Sequence, residues 1–534
     1  MAEIQKILDN VPLRHRGPGG AIAVVKDGEL VAQRIWGYAD VDKRVHMTPD
    51  TLMPICSITK QFVCALLLDL KRNPTPEMAA KGDIEGQFDE KLRELLHPDL
   101  LKDSGLTLDH LCDMQSGMRD YWTMTALWGT KPEDEFLVAR DCPPMLERTK
   151  SFHFAPGTEY SYCNVNFHVL ARVIERVAGD SIENLLAKRI LAPAGMHTAF
   201  LTPDNAKLPP PCLGYEGTEQ TGFVPALNRM EWSGDAGLSA SLVDMVAWEK
   251  HLQRLYSDKD TWYYKIAQPN TYSDGKYAPY RYGMAHSDVN GVDTFGHAGA
   301  LRGYRSQRRH ALNEGLSVVV LFNYEPDVIG AVDDVFRDLL NKPNPEYPSV
   351  EPSEAWVGSF LDRDTQLVIP VAKGPKTGEV FITFGGKTIV HLTDPTHGEA
   401  LNATASIEGD ILHMHKVTDN RKLEAQRLVP RDESFKDPAV CGDYKCDEIE
   451  SSLHIWGDAG MLYGEFDGYL GQGTATTMKY VGDDVWILTC PRGLDSPAPG
   501  DWTVVFHRDE HDSSKIVGFK IGAWGARGID FVKV

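Results

Sequence analysis

Two proline-rich polar stretches divide this chain into parts of different texture: Lys342-Pro343-Asn344-Pro345-Glu346-Tyr347-Pro348, running on to Pro352, and Val429-Pro430-Arg431-Asp432-Glu433, running on to Pro438. Proline locks φ and withholds an N–H, so neither stretch can continue a helix or a central strand, and both are predicted to be linkers. The part before them, residues 1–341, mixes strand-like runs, Ala21 to Val25 and Ser317 to Phe322, with helical text at Asn166 to Val177 and Leu242 to Leu255. It is predicted to be one large α+β or α/β domain. The parts at 350–430 and 435–534 hold short alternating runs between Gly and Asp turns, such as Glu379-Val380-Phe381-Ile382-Thr383 and Trp502-Thr503-Val504-Val505-Phe506. That pattern predicts meandering antiparallel strands.

The two strand-rich parts are also alike. Trp356-Val357-Gly358-Ser359-Phe360, followed by Leu367-Val368-Ile369, matches Val440-Cys441-Gly442-Asp443-Tyr444, followed by Leu453-His454-Ile455, at an offset of 84 residues. The spacing predicts a small barrel present twice.

Composition narrows the partners. With 55 Lys+Arg against 76 Asp+Glu in 534 residues, the formal charge is −21. Such a surface repels phosphate backbones and anionic membranes, so nucleic acid and membrane partners are not expected. The longest apolar run, Phe62 to Leu68, is closed by Asp69, far short of a membrane span. Residues 1–10 read as the start of an amphipathic helix rather than a signal peptide. Nine cysteines, an odd number without CxxC spacing, predict free thiols in a cytoplasmic protein and no zinc site. No metal or cofactor is expected.

Chemistry is concentrated in three short words. Ser57-Ile58-Thr59-Lys60 opens the helical text Gln61 to Leu67, and a spacing of three puts Ser57 and Lys60 on one helical face. A serine at a helix start meets unpaired N–H groups suited to a developing oxyanion, while a lysine one turn deeper, among apolar side chains, can lose its charge and act as a base. Alone, Ser57 reads equally as a capping serine, and Ser273-Asp274-Gly275-Lys276 repeats the spacing in loop text. Tyr162-Cys163-Asn164 stands on a turn before a helix, and His297-Ala298-Gly299 supplies small residues where a substrate backbone could approach an edge strand.

In this order the three words resemble the active-site elements of the penicillin-recognising serine hydrolases, the superfamily of serine β-lactamases and D,D-peptidases. Gly37-Tyr38-Ala39-Asp40, Met114-Gln115-Ser116-Gly117-Met118, Gly234 to Ala240 and Tyr282-Gly283-Met284 extend the resemblance toward class-C-like members. The two C-terminal β parts and Phe466-Asp467-Gly468-Tyr469-Leu470-Gly471 make the chain most similar to the bacterial D-aminopeptidase branch. The resemblance implies helices around an antiparallel sheet at 1–341, then two antiparallel, lipocalin-like β-barrel domains that cover the site and support a homodimer. It implies an acyl-enzyme on Ser57, with Lys60 as activator and Tyr162 relaying the proton to the leaving amine. Asn164 would bond Lys60 and the substrate carbonyl, His297 would stand in place of a lysine, and the N–H groups of Ser57 and Ala300 would form the oxyanion hole. The loop Gly468, Tyr469, Leu470, Gly471, Gln472, Gly473, Thr474 would enter the mouth of the site and shape it. The substrate would be a short peptide, amide or ester with a free N-terminal D-residue. An esterase, amidase or acyltransferase of the same chemistry, or a non-catalytic penicillin-binding-like protein, are the alternatives.

Three readings concern residues outside these words. The run Arg302 to His310 is expected to be a charged strand and turn rather than a carboxylate grip. Glu231 and Asp235 are read either as attracting an ammonium group or as part of a solvated turn. The polar, acidic segment Lys71 to Lys91 is expected to lie beside the site.

Overall fold

Ala21 to Val25 and Ser317 to Phe322 become the centre of an antiparallel sheet. The computed structural model describes residues 2–208, 211–429, 437–458, 460–490, 492, 494 and 500–534. Most of the second proline-rich stretch, from Pro430, lies outside the described residues. The six long strands of this eight-stranded sheet are β1 (Gly19–Lys26), β2 (Glu29–Asp40), β3 (Met284–Val289), β4 (Val292–Leu301), β5 (Tyr304–Ala311) and β6 (Leu316–Phe322), in the order β3-β4-β5-β6-β1-β2, with the short strands Tyr280–Arg281 beside β3 and Val45–His46 beside β2 at the edges. The helices that matter here are α1 (Ala2–Arg14), α2 (Thr59–Arg72), α3 (Val165–Ala178), α4 (Leu242–Tyr256) and α5 (Val328–Leu340).

Every residue of β6 is buried, which reflects helices on both faces of the sheet. Ile22, Val24, Val318 and Val320 meet Leu8 and Val11 of α1 and Val332 and Phe336 of α5. Ala21, Ala23, Val319 and Leu321 belong to the opposite core, with Phe62 of α2, Ile174 of α3 and Trp248 of α4. Because strand side chains alternate, one hydrophobic run serves both layers. The segment from Lys71 to Lys91 forms the helices Pro76–Lys81 and Ile84–Leu95, whose Met78, Phe88 and Leu92 pack into this core.

The two β parts each close into a barrel. Eight strands from Gly358–Asp362 to Arg421–Arg427 form the first ring. In the second, the strand Ser451–Asp458 pairs with both Gly442–Cys446 and Met461–Gly468, which closes that ring too. The repeat is carried down to the turns: the 3-10 turns Glu354–Trp356 and Pro438–Val440 each lead into a strand starting on a positive-φ glycine, Gly358 and Gly442. Both lobes are tied to the first part. Asp120 N donates to Gly525 O at 2.8 Å, Trp128 Nε1 to Ile449 O at 3.0 Å and Tyr160 N to Asp419 O at 3.3 Å. Among the described residues no helix is long and apolar enough to cross a membrane.

Candidate active site

The 3-10 turn Cys56–Ile58 runs directly into α2, so Ser57 sits at the entrance of the helix and Lys60 one turn inside it. Two features hold this turn. Cys56 takes a left-handed φ of 55°, an uncommon conformation for a residue with a Cβ, and Thr59 Oγ1 donates to Cys56 O at 2.7 Å. Gly299 of β4 passes so close that a Cβ there would stand 2.5 Å from Ile55 O and 2.8 Å from Cys56 Cβ. The small residues around His297 therefore let the edge of the sheet lie against the turn that carries Ser57.

Lys60 is fully buried and its Nζ donates to Ser57 Oγ at 3.1 Å, Asn164 Oδ1 at 2.9 Å and Asp235 O at 2.8 Å. Burial pushes its ammonium down to about 8, partly opposed by the carboxylates of Asp235 and Asp120. Tyr162 places its ring 4.9 Å from Nζ, and burial pushes its phenol well up although a hydrogen bond with Ser57 pulls the other way. The lysine is thus the group that can be neutral near neutral pH, and the phenol keeps its proton.

His297 Nε2 lies 3.0 Å from Tyr280 Oη. Burial, reinforced by the Lys60 charge, lowers the imidazole to about 3, so His297 is neutral where a lysine would carry a fixed charge. Beyond Gly296, where its pairing with β3 ends, β4 continues to Leu301 with a partner only on the β5 side among the described residues. Ala298 and Ala300 lie on that open edge.

Ser57, Tyr162, Asn164, His297 and Ala300 line one cavity of about 690 Å³, with Lys60 beneath it. Its far walls come from both barrels: Leu367 and Phe384 from the first, Ile487, Asp501 and Trp524 from the second. Gly385, at φ 62°, makes room for Trp524, whose ring atoms lie 2.3–2.6 Å from where a Cβ would stand. A side chain there would push the two lobes apart.

The sequence reading missed Asp120, Trp524 and Asp501. Asp120 Oδ1 accepts from Asn164 N at 2.6 Å, and burial raises its carboxyl to about 6. Its only signal was the nearby word Met114 to Met118. Asp235 is no solvated turn: it is fully buried, with Oδ2 accepting from Tyr121 Oη at 2.6 Å and Oδ1 from Ser233 N at 2.9 Å. Glu231 accepts from Val138 N at 3.0 Å, which ties down a neighbouring helix. The arginines of the 302–310 run pair with acids: Arg308 with Glu249, both fully buried, Arg309 with Asp333 and Arg305 with Glu325. No residue from Lys71 to Lys91 lines the cavity.

The loop at 468–474 is placed beside the site but does not line it. It is a tight hairpin, Gly468 pairing with Gly471, and its tip Tyr469-Leu470 docks on the segment Trp128-Gly129. Leu470 N donates to Trp128 O at 3.0 Å, Tyr469 Oη to Asp141 O at 3.2 Å, and the Tyr469 ring meets that of Trp128 at 5.2 Å and the Arg148 guanidinium at 4.7 Å. Gly473 N turns back to Phe466 O at 2.8 Å. Tyr469→Ala is expected to weaken this docking by about 1–3 kcal/mol. A thermal melt should detect the loss, while the ratio of kcat/KM for free and N-acetylated substrates changes little; a large change in that ratio would return the loop to the site.

Cys56 adjoins Ser57 and Cys163 lies between Tyr162 and Asn164, yet both are buried, and burial pushes the Cys56 thiol up to about 12 and the Cys163 thiol well above its ordinary value. Iodoacetamide should therefore inactivate slowly at neutral pH, at a rate that follows local opening. Cys56→Ala combined with Cys163→Ala should keep activity and resist the reagent; loss as complete as that caused by removing Ser57 would point to a thiol nucleophile.

Comparison with known proteins finds family matches along nearly the whole chain. Residues 4–342 match the family described as "Beta-lactamase", and residues 349–532 match "D-aminopeptidase, domain B". The chain is similar to the D-aminopeptidase of Brucella canis, 40% identical over 532 residues covering 99% of this chain and 98% of that protein. It is also similar to that of Brucella anthropi, 39% identical over 539 residues covering 100% and 99%. Among solved structures it shares the fold of the octameric penicillin-binding protein homologue from Pyrococcus abyssi, with TM-score 0.50, 19% identity and coverage of 80% of this chain and 99% of that one. The D-amino acid amidase of Ochrobactrum anthropi SV3 complexed with D-phenylalanine has TM-score 0.50 and 20% identity, with coverage of 64% and 99%.

Proposed function

This chain belongs to the D-aminopeptidase branch of the serine β-lactamase family, and from that premise we propose that it is a D-stereospecific serine aminopeptidase acting on short peptides, amides or esters through an acyl-enzyme on Ser57. The observation that carries the reading is the charge of the cavity. Among the described residues it is lined by the carboxylates of Asp120 and Asp501 and by no lysine or arginine. A cavity of that kind favours a substrate ammonium and has no fixed cation for a substrate carboxylate.

Ser57 Oγ attacks the carbonyl carbon while its proton passes to neutral Lys60. The tetrahedral oxyanion is held by the N–H groups of Ser57 and Ala300. Asn164 holds Lys60 and the substrate carbonyl group. Collapse breaks the C–N bond, and Tyr162, bridging the lysine and the leaving nitrogen, hands on the proton that lets the amine depart. Water then repeats the attack on the ester and restores Ser57. His297, being neutral, closes the cavity wall without adding charge.

Tyr162→Phe should slow amides far more than p-nitrophenyl esters, because a nitrophenolate leaves without a proton. Equal losses on both would make Tyr162 a structural residue. The reading itself is tested by comparing D-alanine p-nitroanilide with its L and N-acetyl counterparts. The free D-amine should be preferred on the order of 100-fold over the acetylated form. Turnover of esters without dependence on a free amine would favour the esterase reading, and failure of a fluorescent phosphonate to label the native protein would favour a non-catalytic one. The division into 1–341, 350–430 and 435–534, with the lobes as cover, is part of the proposal, as is the homodimer; a solution mass near 59.4 kDa would remove the latter.

A further inference from the structure

A second cavity, of about 390 Å³, lies behind the catalytic one, where the first part of the chain and both barrels meet. Its lining carries four cations against two acids, Glu159 and Asp364: Arg119 from the segment before Asp120, Arg421 from the last strand of the first barrel, and Lys520 and Arg527 from the last two strands of the second. The three guanidiniums are deeply buried, at 8%, 9% and 4% exposure for Arg119, Arg421 and Arg527.

Their compensation is incomplete. Arg119 Nη1 is paired with Glu448 at 2.8 Å, but Arg421 and Arg527 share the single carboxylate of Glu159, the latter at 3.1 Å. The other acid on Arg421, Asp364, has an 81% exposed side chain, so water screens it. Among the described residues Lys520 meets only the exposed Asp530, at 3.4 Å. Arg421 Nε, Arg527 Nη2 and both ring nitrogens of His153, which also lines the cavity, are buried without a hydrogen-bond partner among the described residues. Burial, helped by the neighbouring Arg421 charge, pulls the Arg527 guanidinium below its ordinary value against the pull of Glu159.

A buried cation without a full counter-charge is costly, and a guanidinium presents its donors in a fork that fits two oxygens of one anion. We propose that this cavity is a binding site for a small oxyanion, a phosphate or a carboxylate group, which completes the charge balance and ties both barrels to the catalytic part. The ligand would also stiffen the catalytic cavity. Arg527 Nε donates to Trp524 O at 3.2 Å, and Asp120 N to Gly525 O at 2.8 Å, so the arginines stand directly behind residues that line the first cavity.

The test is calorimetric titration of the full chain with inorganic phosphate and, separately, with succinate, at constant ionic strength set with sodium chloride, alongside thermal melts in the same buffers. Saturable binding and a saturable rise in Tm are expected with at least one of them, and which one binds identifies the oxyanion class. Lys520→Gln, at the rim and outside the catalytic machinery, should raise the half-saturating concentration about tenfold, and Lys520→Glu should abolish the saturable component. Both variants should keep turnover of the D-alanine anilide in the absence of added anion. Absence of saturable binding in the wild type, or an unchanged half-saturation in Lys520→Glu, overturns the proposal. Because the readout is binding, the outcome stands apart from the substrate assignment.

Discussion

Ser57→Ala is expected to lower turnover of a D-alanine anilide on the order of 10⁴-fold or more while leaving the thermal melt within about 1 kcal/mol of wild type. The hydroxyl makes no capping bond to α2, whose entrance carries no side-chain cap, and the turn is closed instead by Thr59, which donates to Cys56 O and accepts from Leu238 N at 3.0 Å. Ser57 accepts from Lys60 Nζ, a partner that belongs to the proposed chemistry. The substitution thus deletes the attacking oxygen and little else. Stopped assays with purified variant, checked against contamination, decide it: wild-type-like turnover would end the mechanism.

Lys60→Met is expected to cost about 10³–10⁴-fold in kcat/KM, the range of a lost general base. It should also remove a limb of the pH profile. The buried ammonium titrates at about 8 rather than at its ordinary 10.5, so the neutral form accumulates as pH rises, and wild-type kcat/KM should climb toward about pH 8 and fall above it as the substrate's own α-ammonium, at about 8, loses its proton. The same displacement acts on stability with a definite sign. Between about 8 and 10.5 the unfolded chain holds a proton that the folded chain has shed. Stability from this group therefore rises with pH across that window, and the full cost of burying the charge is present below it. At 1.36 kcal/mol per pH unit the cost is on the order of 3 kcal/mol. If the residual activity of Lys60→Met kept the rising limb near pH 8, the base would have to be sought elsewhere.

Much of this site is written in short words because its parts are locally spaced. Ser57 and Lys60 are one helical turn apart, Tyr162 and Asn164 end the turn before α3, and His297 to Ala300 run along a single strand. The periodic runs were equally direct: Ala21 to Val25 and Ser317 to Phe322 lie in β1 and β6, and Asn166 to Val177 and Leu242 to Leu255 in α3 and α4. The repeat at 84 residues carried through to matching 3-10 turns.

The loop at Gly468 illustrates the opposite case. Its glycines signal a tight turn, and it forms one, but whether the tip enters the catalytic cavity or docks on Trp128 depends on a surface more than 300 residues earlier in the chain. Asp120 and Trp524 became part of the cavity only because the chain brings them opposite Asn164 and Gly385.

Sequence alone determined what neighbouring residues settle among themselves: the periodicity of the elements, the order of the three candidate catalytic words and the doubling of the barrels. Tertiary structure alone decided the charge states and the walls: a lysine at about 8, a neutral histidine, two carboxylates in the cavity and the arginines gathered behind it. The reason is range. Hydrogen-bonded turns and alternating faces are set within a few residues, whereas desolvation and field strength come from whatever distant segments the fold packs around a group, and no local pattern encodes them.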